Sequence, residues 1–169
     1  MPDKKILILD KTQIQQKINR IAFQIWEDNL EEKELVIAGI AELGYTVATR
    51  LKEIVEKISG ISVLLMRIEV DKKSSRLQAV TDIPMEQCEG KAVILVDDVV
   101  NSGRTLAYGL GVFLDTPVKK IRTAVLVDRS HRAFPVSPDY TGLQLATVLK
   151  EHVELILDEE TQEEAVYLL

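Results

Sequence analysis

Two adjacent carboxylates, Asp97 and Asp98, follow the uninterrupted apolar run Val93-Ile94-Leu95-Val96, and a polar turn, Asn101-Ser102-Gly103-Arg104-Thr105, comes just after them. A run without alternation reads as a strand covered on both faces. In an open parallel sheet ligands lie outside the carboxyl ends of the strands, so the acid pair leaves the core where a ligand would sit. As ionised acceptors, Asp97 and Asp98 suit vicinal hydroxyls such as those of a ribose. Ser102, Gly103, Arg104 and Thr105 can wrap an anion with backbone N–H groups and hydroxyls. Glycine permits close backbone approach, and the helix that follows presents its positive end. Diol recognition beside phosphate recognition points to a ribose 5-phosphate. Taken singly, each residue could serve structure alone, as a strand end or a helix cap; the combination of strand, acid pair, turn and helix start carries the reading.

Positioning such a segment requires a sheet with helices around it, and the rest of the sequence supplies that pattern. Residues 5–10 read as a short strand, and Ile14, Ile18, Ile21, Ala22, Ile25 and Trp26 recur at the spacing of one helix face, with Thr12 as its expected cap. Residues 35–39 form a compact apolar strand, and Leu51, Ile54, Val55 and Ile58 mark a second amphipathic helix that ends at Ser59-Gly60. Residues 61–70 are rich in branched side chains and read as a strand, and the polar, aperiodic residues 71–78 read as a loop. Leu106, Leu110, Phe113 and Leu114 predict a helix after the turn, residues 121–127 repeat the buried-strand pattern, and residues 153–157 and 165–168 predict a closing hairpin. Alternating buried strands and helices predict a single α/β domain over residues 1–169, with a mostly parallel sheet flanked by helices and a small C-terminal hairpin.

Composition narrows the functional classes. With 46% apolar and 28% charged residues in 169, the chain can bury a sizeable core, which excludes intrinsic disorder. No apolar stretch approaches the roughly 18 residues of a membrane span. The apolar segment at residues 6–9 is too short for a signal-peptide core, so a cytoplasmic location is expected. One cysteine, Cys88, permits no internal disulfide, and with His131 and His152 as the only histidines no Cys/His metal spacing can be assembled. The net charge of −6 is concentrated at one end, since seven of the 27 acids fall in residues 151–169. The remaining 20 acids stand against 21 Lys plus Arg, so the body is near neutral and could still carry a local basic face.

Residues 93–105 resemble the phosphoribosyl pyrophosphate (PRPP) motif of type I phosphoribosyltransferases. The resemblance extends to the pyrimidine operon attenuation regulators that double as uracil phosphoribosyltransferases. It runs from the N-terminal Ile6-Leu7-Ile8-Leu9-Asp10 through Asn19-Arg20-Ile21-Ala22 to Val153-Glu154-Leu155-Ile156-Leu157-Asp158-Glu159. The stretch from Thr123 through Asp128-Arg129-Ser130-His131-Arg132, with Pro135 and Asp139-Tyr140-Thr141-Gly142, is similar to this family in particular.

The resemblance implies the type I phosphoribosyltransferase fold and transfer of phosphoribose from magnesium-bound PRPP to a pyrimidine, uracil, giving uridine monophosphate (UMP) and pyrophosphate. The alternative is a nucleotide-sensing regulator of pyrimidine genes that acts by RNA or protein binding. In either case a homo-oligomer is expected. By resemblance, Asp97 and Asp98 would hold the ribose hydroxyls, with Mg2+ carried by PRPP near them. Val99, Val100, Asn101, Ser102, Gly103, Arg104 and Thr105 would cradle the 5-phosphate. Arg129, His131 and Arg132 would lie near the base pocket or an RNA face, to which Arg20 belongs as well. Purine-using relatives carry an acid where this chain has Asn101, an amide that takes no proton at neutral pH, which disfavours purines.

Two segments depart from the family. Ala41, Glu42, Leu43 and Gly44 occupy the pyrophosphate loop, with leucine in place of arginine. Glu42 would repel pyrophosphate, and losing one preorganised donor there can cost about 3 kcal/mol of transition-state stabilisation. The segment at residues 70–76 is shorter than the family's mobile loop, leaving Lys72, Lys73 and Arg76 as candidates to close over pyrophosphate. Phe23 and Leu143 stand where relatives are more polar or basic, Trp26 suits the core or a dimer interface, and Cys88 has no assigned role.

Overall fold

In the computed structural model, which describes residues 4–71, 78–148 and 150–169, the chain runs through β1 (Ile6–Leu9), α1 (Lys11–Glu27), β2 (Glu34–Ile40), α2 (Ala41–Ser59), β3 (Ser62–Val70), β4 (Ala79–Thr81), β5 (Ala92–Val100), α3 (Arg104–Gly111), β6 (Lys120–Asp128), β7 (Tyr140–Gln144), β8 (Val153–Leu157) and β9 (Glu164–Leu168). Six strands form the main sheet in the order β4-β3-β2-β5-β6-β7. All of its pairings are parallel except β3 with β4. The predicted architecture is present, with β5 at its centre.

The continuous apolar runs of the central strands have a direct cause. Leu35 and Ile37 of β2, Ile94 and Val96 of β5, and Ala124 and Leu126 of β6 point into a core shared with α1 and α2. Val36, Ala38, Val93, Leu95 and Val125, the intervening residues, point into a second core with Leu106 of α3, Phe113 and the buried Cys88. Side chains alternate along a strand, so a strand packed on both faces needs apolar residues at every position. Ile94 is fully buried, and truncating such a side chain to alanine costs about 2 to 5 kcal/mol. The same packing fixes the level at which β5 delivers Asp97 and Asp98.

Several expectations change at element ends. The cap of α1 is Asp10, not Thr12, which lies inside the helix. Asp10 Oδ1 accepts from the Gln13 N–H at 2.8 Å, and Gln13 Oε1 accepts from the Asp10 N–H at 3.0 Å, a reciprocal pair that satisfies two otherwise orphaned donors. The second helix starts ten residues before Leu51, at Ala41, directly from the end of β2. Ala41 takes a positive φ of 53° to make that turn, a strained conformation for a residue with a Cβ. Helix α3 stops at Gly111, leaving Phe113 buried beyond it and Leu114 80% exposed. Strand β1 stays out of the main sheet and pairs antiparallel with β9, so the predicted hairpin becomes a separate three-stranded sheet, β1-β9-β8. Trp26 is half-buried against the larger core, and Phe23, 45% exposed, meets it at a tilted 6.2 Å.

Candidate functional site

The C-terminal ends of β2, β3 and β5 open into one cleft of about 600 Å³. Its walls are Ile40 through Gly44 from the junction of β2 and α2, Val70 from β3, Asp97, Asp98, Val99 and Asn101 from β5 and its turn, Thr105 from α3 and Val153 from β8. Asp97 and Asp98 lie within β5, which runs on to Val100 because it stays paired with β6 as far as Asp128. Neighbours on a strand face opposite sides of a sheet. Both nevertheless line the cleft, because it lies across the sheet's end rather than under one face. Asp97 is 7% exposed and its Oδ1 accepts the Asp98 backbone N–H at 2.9 Å, while Asp98 is half-buried.

Beside the cleft, residues 99–106 and Asp97 enclose a smaller cavity of about 70 Å³, the size of a compact anion. Gly103 turns the chain into α3 with a φ of 87°, and Ser102 Oγ accepts the Arg104 N–H at 3.3 Å. The first N–H groups of a helix have no partners within it, so α3 offers donors to this cavity. The turn is held from outside: Ser102 O accepts from the Ala133 and Phe134 N–H groups at 2.9 and 3.0 Å. Arg104 lines the cavity and lies over the Tyr108 ring, 5.7 Å from its centroid. The larger cleft has the opposite electrostatics. Among its described lining residues Glu42, Asp97 and Asp98 carry charge and none is a cation. Ala41, Glu42, Leu43 and Gly44, expected as a loop, are the first turn of α2. Gly44 brings that turn against β5: a Cβ there would lie 3.0 Å from Val96 O and 3.3 Å from Asp97 Oδ1.

Arg129 is 7% exposed, and each nitrogen of its guanidinium donates once: Nη1 to Asn101 Oδ1 at 2.9 Å, Nε to Thr147 Oγ1 at 3.1 Å, and Nη2 to the Glu151 carbonyl. Arg132 makes a two-pronged contact with Asp128, which is 2% exposed and also accepts the Ser130 N–H at 2.8 Å. His131 Nε2 meets both oxygens of Thr147, and since a carbonyl only accepts, that nitrogen carries the proton. Arg20 donates to the Thr141 and Gly142 carbonyls at 2.9 and 2.7 Å. The expected trio of Arg20, Arg129 and Arg132 is therefore occupied by internal contacts, and only Arg129 reaches the cleft, through Asn101. Lys72, Lys73 and Arg76 lie outside the described residues. Sequence reasoning missed Val153, Thr147 and Glu151. The rule that ligands lie at the C-terminal ends of strands would have found Ile40, whereas nothing local marks Thr147 or Glu151.

The sequence matches the phosphoribosyl transferase domain family over residues 7–160. It is 36% identical to the bifunctional protein PyrR of Bacillus subtilis (strain 168), over 97% of this chain and 96% of that protein. It is also 36% identical to the bifunctional protein PyrR of Gloeothece citriformis (strain PCC 7424), over 100% of this chain and 99% of that one. The fold matches a hypoxanthine phosphoribosyl transferase of Trypanosoma cruzi with a TM-score of 0.80 at 20% identity, covering 97% of this chain and 90% of that one. A hypoxanthine-guanine phosphoribosyltransferase of Bacillus anthracis matches with a TM-score of 0.73 at 23% identity, over 83% of this chain and 84% of the other. At those identities the solved structures speak for the fold alone.

Proposed function

The chain belongs to the phosphoribosyl transferase domain family, and from that premise we propose that it binds PRPP with magnesium and transfers phosphoribose to uracil, giving UMP and pyrophosphate. The observation that carries this reading is the junction of two cavities at one strand end. A compact anion pocket at the start of α3 adjoins a larger cleft edged by two carboxylates, and Asp97, Val99, Asn101 and Thr105 line both. In the transfer the bond from ribose C1 to pyrophosphate oxygen breaks, a bond from C1 to uracil N1 forms, and the N1 proton passes to the released pyrophosphate or to water. Asp97 and Asp98 would orient the ribose by accepting from its 2- and 3-hydroxyls, and Ser102, Thr105 and the first N–H groups of α3 would hold the 5-phosphate. Asn101 takes no proton, which fits a pyrimidine whose N1 proton is lost without a protein base.

No three acidic, His or Cys side chains among the described residues converge on a metal position. Magnesium binds readily through one or two carboxylates plus phosphate oxygens. The donor set thus fits an ion carried by PRPP beside Asp97 and Asp98, where it would neutralise charge developing on pyrophosphate. Cytoplasmic action and a homo-oligomeric assembly are part of the same reading. Among the described residues no helix is long and apolar enough to cross a membrane.

A second reading is a nucleotide sensor that binds UMP and has lost turnover, working through RNA or protein contacts. Glu42 and Leu43 in a cleft wall without a described cation favour it. Uracil and magnesium PRPP, assayed for UMP formation alongside calorimetric titration of UMP, separate the two. Turnover supports the transferase. UMP binding without turnover supports the sensor, and the absence of both turnover and UMP binding removes both readings.

A further inference from the structure

We propose that Arg129 fixes the Asn101 amide so that it turns its N–H donors, and not its oxygen, toward the base side of the cleft, which makes the 2-oxo group of a pyrimidine the feature this site selects. The inference rests on the ribose-phosphate reading and adds to it a positioning residue and a rule for the base.

The amide's orientation follows from chemistry. Arg129 Nη1 lies 2.9 Å from the Asn101 side chain. A guanidinium has five donors and no acceptor, so the atom facing it must be the amide oxygen. Arg129 cannot swing to suit another arrangement. Its Nε donates to Thr147 Oγ1 at 3.1 Å and Nη2 donates to the Glu151 carbonyl, so two contacts besides Asn101 hold the buried side chain, while the backbone N–H ties its main chain to Val100 O at 3.1 Å.

With its oxygen taken, Asn101 has two donors left on Nδ2 and no second side-chain partner among the described residues. Asn101 lines both the large cleft and the anion pocket, between the acid pair and Thr105. That is where the base edge nearest the sugar would come. In a pyrimidine the carbonyl beside the glycosylated N1 is the 2-oxo group, an acceptor that matches Nδ2. A purine entering as the free base would present a ring N–H on this edge, donor against donor. An acid at position 101 would reverse the preference, because a carboxylate beside Arg129 still has a second oxygen to accept with.

The test titrates UMP, its analogue without the 2-oxo group (4-pyrimidone riboside monophosphate), its analogue without the 4-oxo group (2-pyrimidone riboside monophosphate), the two sharing the loss of the N3 proton and so controlling for each other, and ribose 5-phosphate into the wild-type protein, Asn101→Asp and Arg129→Met. The wild type is expected to bind UMP and the 2-pyrimidone nucleotide roughly tenfold more tightly than the 4-pyrimidone nucleotide, the value of one neutral hydrogen bond. That ratio is expected to fall to about one or invert in Asn101→Asp, and to fall in Arg129→Met, whatever each change does to overall affinity. A merely structural Arg129 would lower all affinities together and leave the ratio alone, which would overturn its positioning role. Equal wild-type binding of the 2-oxo and 2-deoxo nucleotides, with ribose 5-phosphate still bound, would overturn the proposal and leave the ribose-phosphate site standing. Failure of ribose 5-phosphate and UMP to bind at all would instead remove the reading on which it rests.

Discussion

Replacing Gly44 with alanine adds one methyl group where the first turn of α2 crosses β5, and its effect on ligand binding can be worked from the packing. The new Cβ would lie 3.0 Å from Val96 O, 3.2 Å from Asp97 Cα and 3.3 Å from Asp97 Oδ1, all tighter than ordinary contact, which begins at 3.4 Å. Two of those atoms belong to the backbone of the central strand, so the movement falls on the Asp97 side chain and on the α2 turn, a few tenths of an ångström. Alanine gains about 1 kcal/mol of helix propensity over glycine, while overpacking costs about 1 to 3 kcal/mol. Net stability should thus fall by no more than about 2 kcal/mol, and the protein stays folded. Binding should suffer more, because a displaced carboxylate loses much of a charged hydrogen bond, worth about 1.5 to 3 kcal/mol, or roughly ten- to a hundredfold in Kd. Calorimetric titration of UMP and urea denaturation of the same variant measure the two effects. A folded Gly44→Ala protein with UMP affinity within about twofold of wild type would refute the claim that this close approach sets Asp97 for the ligand.

Three further outcomes follow from the geometry. Leu43→Arg, with its stem lying along the apolar surface that Leu43 now covers, should raise kcat/KM for PRPP in UMP formation by up to about a hundredfold; an unchanged steady-state rate would show that the leucine is not what limits turnover. Burial, then the hydrogen bond to Asp28, pushes the Tyr140 hydroxyl well above its ordinary 10.0. Above pH about 10 the unfolded chain therefore releases a proton that the folded chain keeps, so folding stability should fall as pH rises. Urea midpoints from pH 9 to 11 should show that fall in the wild type and a flatter profile in Tyr140→Phe. Arg132→Met leaves the buried Asp128 carboxylate without its two-pronged partner, and denaturation should report a loss of about 3 kcal/mol.

The elements whose chemistry is local were legible in the sequence. Residues 92–96 announced a doubly covered strand because every position is apolar, and the spacing of Ile14, Ile18, Ile21 and Ile25 gave the buried face of α1. The acid pair and the turn into α3 were legible for the same reason, since the strand, the turn and the helix start are consecutive. Partners distant in sequence were not. Nothing in residues 6–9 says that they pair with residues 166–168 instead of joining the main sheet. Strand β7 is short and contains Gly142, yet that glycine is what lets it approach β6, where a Cβ would meet Leu126 O at 2.5 Å. For Arg129 the sequence offered only a place near the base pocket or an RNA face, by resemblance; only the fold reveals that Asn101, Thr147 and Glu151 converge on it. The helix starting at Ala41 was hidden because Ile40, its cap position, contributes no side-chain cap, and the chain enters α2 straight from β2.

The most direct test of the central claim, that residues 97–105 cradle a ribose 5-phosphate, is calorimetric titration of magnesium PRPP and of UMP into wild-type protein and into Asp97→Asn with Asp98→Asn, after denaturation has shown both to be folded. Saturable binding to the wild type that is lost, or weakened at least about a hundredfold, in the folded double variant is the predicted result. Equal affinity in the two proteins would contradict the claim and place the ligand elsewhere on the molecule.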